Sequence, residues 1–353
     1  MRFRIINLIL ITVTATIAFT SCDLEAEALE VQKLYSYDDQ YYANLRAWKA
    51  TIKERQVSFG YYAAWAPLEG TTGEKQIASW GERLIGLPDS FDIVNLWMGI
   101  PTPDYQRTAY EDMRYCQEVK GTRFVMHADA SHYRHTFTLD GVDYDMGGSS
   151  NVSDATMLAY AKWIVKQVLD NGLDGVDVDY EGWSANNLTR LMTELGKYFG
   201  PQGEDPSKLL MVDYYQHTVP SNIEPFVDYW VRQAYTQGFT AHSAANLQSY
   251  YNTYRTFLPA EKFIVVETFG GATTTYLTGG SPFTEADGNT LTAEGTQMYS
   301  LEGMARWHPV TTDGTVKRKG GFGGFYFDRD YYSPAGPYYN VRRCIQIANP
   351  AVH

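Results

Sequence analysis

The chain has 353 residues with 41 acidic against 29 basic side chains, and its formal charge of −12 argues against nucleic acid as a partner. Its length suits one large core, either a single barrel of roughly 250–350 residues or two smaller domains. Tyr, Phe and Trp number 28, 16 and 8, a supply of flat apolar faces that suits sugar rings and equally fills ordinary cores.

Arg2 and Arg4 precede an apolar run over 5–19, and Thr20-Ser21-Cys22 follow. A basic start, an apolar stretch too short to span a membrane and small residues before a cysteine read as a bacterial lipoprotein signal. Residues 1–21 would be removed and Cys22 would carry the lipid; an ordinary cleaved signal with an incidental cysteine is the alternative. Cleavage takes away two Arg and no acids, leaving a formal charge of −14. Asp23-Leu24-Glu25-Ala26-Glu27 resembles the export signal of surface lipoproteins in Bacteroides-like bacteria. The expected location is therefore the outer membrane or cell surface through a lipid anchor only, with a periplasm-facing orientation open.

Residues 22–54 read as a tether followed by a helix over about 39–54, with Leu45, Trp48 and Ile52 on one face. From 55 to 353, short apolar runs alternate with amphipathic stretches and Gly/Pro punctuation, the pattern of repeated βα units. Strands are predicted over 57–65, 91–98, 123–129, 175–181, 209–215, 229–235, 263–269 and 321–327. Eight of them argue for an α/β chain folded as a single (β/α)8 TIM barrel. The rival, an open doubly wound sheet that binds a nucleotide, lacks its phosphate loop, because Phe59-Gly60-Tyr61-Tyr62 is bulky where that loop belongs.

Helices are predicted over 104–119, 154–171, 185–199, 241–257 and 293–307. The one over 154–171 has Ser153 or Asp154 as its cap, Leu158, Ala161, Ile164, Val165 and Val168 as its buried stripe, and Asn171-Gly172 as its end. The Gly- and Thr-rich loop 270–289 follows the seventh strand, where it serves either as a substrate contact or as a plain connection.

The most informative segment is Asp174-Gly175-Val176-Asp177-Val178-Asp179-Tyr180-Glu181. On a strand, Asp177, Asp179 and Glu181 share one face, with ~6.6 Å between successive positions, while Val176, Val178 and Tyr180 take the other. Like charges at that spacing oppose joint ionisation and raise at least one pKa. Such an arrangement suits acid catalysis, with one carboxyl kept protonated and a neighbour ionised against developing positive charge. A solvent-facing acidic strand or a divalent-cation site is the competing reading.

This run matches, position for position, the Asp-Gly-x-Asp-x-Asp-x-Glu signature of glycoside hydrolase family 18, carried there on the fourth barrel strand, as here. The resemblance in layout covers about residues 55–345. It implies that Glu181 is the general acid/base, that Asp179 orients the substrate acetamido group, and that Asp177 supports Asp179. It further implies a retaining, substrate-assisted reaction in which the acetamido oxygen attacks the anomeric carbon, an exception to the two-carboxylate scheme. No metal or organic cofactor is implied. Gln233-Ala234-Tyr235 on the sixth strand resembles the Gln-x-Tyr of the endo-β-N-acetylglucosaminidases of the family, where chitinases carry Met-x-Tyr-Asp. Tyr235 and Gln233 would then hold the acetamido oxygen. The third strand lacks the Ser-x-Gly-Gly of many chitinases, and no insertion after strand seven is large enough for a small α+β domain.

The resemblance thus points to an endo-β-N-acetylglucosaminidase that cuts the GlcNAc-β-1,4-GlcNAc core of N-linked glycans. A chitinase or chito-oligosaccharide hydrolase is the alternative enzyme, and a non-catalytic glycan-binding lipoprotein the alternative of another class. Trp65, Trp97, Asp129, Trp183, Asp213, Tyr215, Tyr326, Asp328 and Tyr331 fall at or after strand ends, where they are candidates for sugar contact or for core packing. His127 pairs with Asp129 or is a satisfied core histidine. Cys116 and Cys344 lie in no metal-spacing motif and read as buried small hydrophobes, with a disulfide open.

Overall fold

The computed structural model describes residues 36–63, 81, 83–131, 136–146, 152–236, 241–269 and 275–350. Eight parallel strands close on themselves: β1 (Val57–Tyr61), β2 (Ile93–Leu96), β3 (Arg123–Ser131), β4 (Gly175–Glu181), β5 (Leu209–Tyr214), β6 (Tyr229–Gln233), β7 (Phe263–Thr268) and β8 (Gly321–Phe325). β1 pairs with both β2 and β8, which completes the ring. All eight predicted strands are present.

Around the ring lie α1 (Asp39–Ala50), α2 (Arg107–Tyr115), α3 (Asp154–Asp170), α4 (Ala185–Leu195), α5 (Ala244–Asn252), the single turn α6 (Thr275–Thr278), α7 (Ser300–Arg306) and α8 (Tyr339–Ala348). One compact unit begins at Tyr37 and includes α1. Asp38 caps α1 by accepting the Tyr41 N–H at 2.8 Å. At its other end the buried Lys49 reaches the Phe91 carbonyl at 2.6 Å and the Thr122 hydroxyl at 2.7 Å. Burial lowers the Lys49 pKa to about 7, with the Asp92 charge opposing the shift.

Alternation along the strands splits the core in two. Val57, Phe59, Ile93, Val125, Leu209, Met211, Tyr229, Val231, Ile264 and Val266 fill the barrel interior. Intervening residues such as Val94, Ala128, Val176, Val178 and Trp230 face the helices. Burying each large apolar side chain stabilises the fold by about 1.5–3 kcal/mol, which makes this double shell the main source of stability. Toward the C-terminal ends of the strands the interior changes from apolar to polar, with Asn95, Asp177, Asp213 and Gln233 all buried there.

Several elements depart from the pattern expected of the sequence. In α3 the buried stripe is Met157, Ala161, Ile164, Val165 and Val168, and Leu158 is exposed, because Met157 takes the inward position and the next residue turns about 100° away. The helix expected over 293–307 begins only at Ser300; the preceding residues form a turn in which Leu291 bridges Gln297. The helix expected over 241–257 spans only Ala244–Asn252, capped by the Ser243 hydroxyl on the Asn246 N–H. In the loop 270–289, residues 270–274 lie outside the described residues. The rest forms α6 and a short strand, Phe283–Thr284, paired with His242–Ser243, and Phe283 is buried in the outer core. Cys116 and Cys344 are both buried and free.

Candidate active site

The site is anchored by how β4 begins. Asp174 accepts the Phe124 N–H at 2.8 Å and the Gln117 amide at 2.7 Å, tying the strand to β3 and to the turn Cys116–Lys120 that follows α2. Gly175 follows at φ +146°, and a Cβ there would fall 2.1 Å from the Leu209 carbonyl oxygen, so only glycine allows β5 this close. These two residues hold the register. Asp177 then lies beside His127 and Met211, Asp179 beside Asp129 and Asp213, and Glu181 beside Ser131.

Asp177 is fully buried and accepts the Asn95 amide at 2.9 Å. Burial pushes its carboxyl up to about 8, with the Asn95 bond opposing and the Asp179 charge adding. Its second oxygen, like the carbonyl of Asn95, has no partner among the described residues. Asp179 sits one level higher, with the Gln233 amide 3.4 Å and His127 Nε2 3.7 Å away. Burial, then the charge and hydrogen bond of Asp213, hold its carboxyl well above the usual carboxylate range.

Asp213 is also fully buried and receives the Tyr61 hydroxyl, with the Gln233 amide at 3.5 Å. Burial raises its pKa first and the Asp177 charge adds, while the hydrogen bonds from Asp179 and Tyr61 oppose. The hydrogen bond between them raises Asp179 and lowers Asp213, which makes Asp179 the donor of the pair, while burial raises both. Glu181 is exposed at the mouth, above this pair and on the same face. The interior therefore stores protons beneath a solvent-accessible acid.

The opposite wall is aromatic. Tyr235 stacks near Tyr215, with ring centroids 5.9 Å apart, and near Phe325 at 5.7 Å. Trp97 meets Phe325 at 5.5 Å and Tyr326 at 5.2 Å. Burial and the nearby Asp213 and Asp179 raise the Tyr235 pKa well above its ordinary value, keeping the phenol a hydrogen-bond donor. Trp97, Tyr215, Tyr326 and Tyr235 thus form one row with Phe325 along the barrel mouth.

Three candidates lie elsewhere. Trp183 is buried in the outer core, because the chain has already turned from β4 toward α4. Tyr331 packs outward against Tyr338 at 5.7 Å. Asp328 is buried and accepts the Ala63 N–H at 2.9 Å, which fastens the segment after β8 to the end of β1; burial raises it to about 6. Trp65 and Cys22 lie outside the described residues. Asp129 faces the mouth with its side chain 46% exposed.

Asn95, Tyr61 and Phe325 join the site unforeseen. Asn95 and Tyr61 share strand parity with inward apolar neighbours, and all three stand at C-terminal strand ends, the place where barrel sites gather.

One oxygen each of Asp129 and Asp179 and a ring nitrogen of His127 lie within 4.8 Å of one another. The Asn95 amide nitrogen lies 3.3 Å from His127 Nδ1, which makes Nδ1 the acceptor and leaves the hydrogen on Nε2. Burial also lowers the histidine pKa, against the Asp129 charge, which holds the ring neutral beside the two carboxyls. Away from these acids, a cavity of about 430 Å³ lies beside α8, and its cation, Arg343, is already paired with Glu294 and Glu302.

Comparisons with known proteins bear on the whole barrel. The structure of BT1044, a glutamate-to-glutamine variant with selenomethionine, superposes with a TM-score of 0.67 at 20% identity, over 92% of this chain and 96% of that one. A mutant endo-β-N-acetylglucosaminidase from Cordyceps militaris, in complex with fucosyl-N-acetylglucosamine-Asn, gives 0.64 at 20% identity, over 90% of this chain and 98% of its own. Putative chitinase A from Streptomyces coelicolor gives 0.52 at 12% identity, over 84% and 99%. Identities this low speak for the fold alone. No curated protein matches the sequence significantly. The family description that matches residues 20–347 is glycoside hydrolase family 18, BT1044-like, and the chain belongs to glycoside hydrolase family 18.

Proposed function

We propose that the protein is an endo-β-N-acetylglucosaminidase that hydrolyses the GlcNAc-β-1,4-GlcNAc core of N-linked glycans with retention. The observation that carries this reading is the Gln233 amide, 3.4 Å from Asp179 and 3.5 Å from Asp213, with Tyr235 two residues on, just past the end of β6 and packed against the inner core. The Cordyceps neighbour, an enzyme of that activity, adds support.

In this reading Glu181 protonates the leaving oxygen while the acetamido oxygen of the substrate attacks the anomeric carbon. Asp179 accepts the acetamido N–H and passes its own proton to Asp213. The anion so formed faces the positive charge that develops on the five-membered ring, where a fixed charge in a water-poor site is worth most. Tyr235 and Gln233 donate to the acetamido oxygen and hold it at attacking distance. Glu181 then takes a proton from water as the ring opens. Asp177, capped by Asn95, sets the field beneath Asp179.

The test is Glu181→Gln, which keeps shape and removes the transferable proton. Treated with this variant, an N-glycoprotein should keep its glycans, whereas the parent enzyme should leave one GlcNAc on each asparagine by mass spectrometry. Release at near the parent rate would remove the assignment. The aromatic row from Trp97 to Tyr215 also suits a linear GlcNAc chain, so chito-oligosaccharide hydrolysis is the second reading, and faster turnover of chitin oligomers than of the glycoprotein would select it. Lipid anchoring at Cys22 belongs to the same proposal; a Cys22→Ala protein that still fractionates with membranes would exclude it.

A further inference from the structure

A buried carboxylate on β7 takes no part in the reaction just described. Glu267 shares strand parity with Phe263 and Val265 and so faces away from the barrel interior, with no exposed surface. One of its oxygens accepts the N–H of Thr236 at 3.0 Å and that of Thr268 at 2.7 Å. The other accepts the Thr236 hydroxyl at 3.0 Å and the Ser300 hydroxyl. Ser281 closes the knot, its hydroxyl 2.7 Å from that of Thr236 and its N–H donating to Ser300 at 3.0 Å. Gly280 runs alongside at φ +114°, where a Cβ would stand 1.9 Å from Ser300 Oγ, so the packing has no slack.

The knot sits where the β6–β7 ladder ends. Gln233 is the last residue of β6 in register with β7, opposite Val266, and the Ala234 N–H still reaches the Val266 carbonyl at 2.9 Å. The next hold on the chain is Glu267 on the Thr236 N–H. Tyr235 lies between these two clamps, and its ring leans into the barrel mouth against Tyr215 and Phe325.

We infer that Glu267 is a positioning residue for Tyr235: by extending the ladder with a side-chain acceptor, it fixes the backbone on the far side of the tyrosine and so aims the phenol at the acetamido oxygen. The inference rests on the proposed role of Tyr235. Its physical basis is that a donor misplaced by about 1 Å costs on the order of a hundredfold in rate, and that sites hold such tolerance only when the supporting shell is itself locked.

The knot also specifies the informative variants. Glu267→Gln keeps one oxygen for the two N–H donors and turns its amide toward two hydroxyls, which can accept, so it should behave as the parent. Glu267→Leu fills the space and removes the acceptor that both N–H groups share. The substrate is the best of a panel of high-mannose, hybrid and complex N-glycopeptides. Glu267→Leu should lower kcat about a hundredfold with KM within about threefold, while Glu267→Gln stays within about threefold of the parent. In a Tyr235→Phe background the same leucine should cost less than about threefold further, because its effect runs through the phenol. An unchanged kcat, or an equal loss with and without the tyrosine hydroxyl, would overturn the inference.

Where the leucine variant does not fold, Glu267→Asp withdraws the carboxylate by one methylene and is judged by the same cycle. A parent enzyme that cleaves none of the panel would defeat the functional reading instead. The positioning role would then be read from structure: the leucine or aspartate variant should lose amide-exchange protection at Thr236 and shift the Tyr235 hydroxyl by about 1 Å, and an unmoved tyrosine would refute it.

Discussion

Asp179 and Asp213 stand side by side in the β4–β5 ladder, both pointing into the barrel, with a hydrogen bond from Asp179 to Asp213. Among the described residues, no lysine or arginine pairs with either, so their proximity requires that at least one of them keep its proton. The arrangement makes Asp213 a partner of Asp179 rather than a sugar contact, since it has no exposed surface.

Asp213→Asn should therefore depress turnover through Asp179. The asparagine still accepts from Tyr61 but carries no charge, so the Asp179 pKa falls, although burial keeps it above the ordinary range. We expect kcat to drop about 10²-fold and the limb of the pH–rate profile governed by Asp179 to move to lower pH. A profile that keeps its shape and position would show that the hydrogen bond between the two has no role.

Stability should fall as the solution becomes more alkaline. The folded Asp177 carboxyl titrates at about 8, against ~3.9 for an unfolded aspartate. Its folded pKa is raised, so the folded state binds the proton more tightly; the contribution is complete below about pH 4 and is lost as pH rises through about 8. Thermal melting of the parent should show that decline. Asp177→Asn, neutral at every pH, should flatten it and melt at least about 2 °C higher than the parent at pH 9, while activity is lost. Parallel curves for the two proteins would contradict the protonation assigned here.

Two tryptophans near strand ends should respond in opposite ways. Trp97 stands in the aromatic row at the mouth, whereas Trp183 is buried in the outer core. Trp97→Ala should raise KM about tenfold, with a melting temperature close to the parent's. Trp183→Ala should cost about 3–5 kcal/mol of stability in denaturant titration and leave the KM of the remaining folded enzyme unchanged. Interchanged results would mean that the chain after β4 turns back toward the mouth.

Gly175 offers a test of the register itself. With φ at +146° and the Leu209 carbonyl 2.1 Å from any added Cβ, Gly175→Ala has to push β5 away or unwind the start of β4. We expect a loss of more than about 3 kcal/mol, seen as insolubility or a sharply lowered denaturation midpoint. A well-folded, fully active alanine variant would show that this approach is not needed to seat the acids.

The barrel and its acid strand were legible in the amino-acid order because both depend on local periodicity. Alternation in 174–181 alone places Asp177, Asp179 and Glu181 on one face, and eight apolar runs separated by amphipathic stretches leave little but a closed parallel sheet. Helix ends were harder. Ser300 starts α7 seven residues later than the pattern implied, because Glu285 through Met298 spend their backbone hydrogen bonds on tight turns.

What the order of residues determined by itself was therefore the architecture, the inward direction of the acids and the Gln233–Tyr235 pair on one strand face. Only the tertiary structure decided which side chains meet across strands. It brought Asn95 onto Asp177 and Tyr61 onto Asp213, sent Trp183 and Tyr331 to the outer shell, and seated Glu267 behind Tyr235. The reason is physical: facing direction is a property of one strand, but the partner, burial and protonation of a carboxyl depend on the register and curvature with which separate strands close the ring.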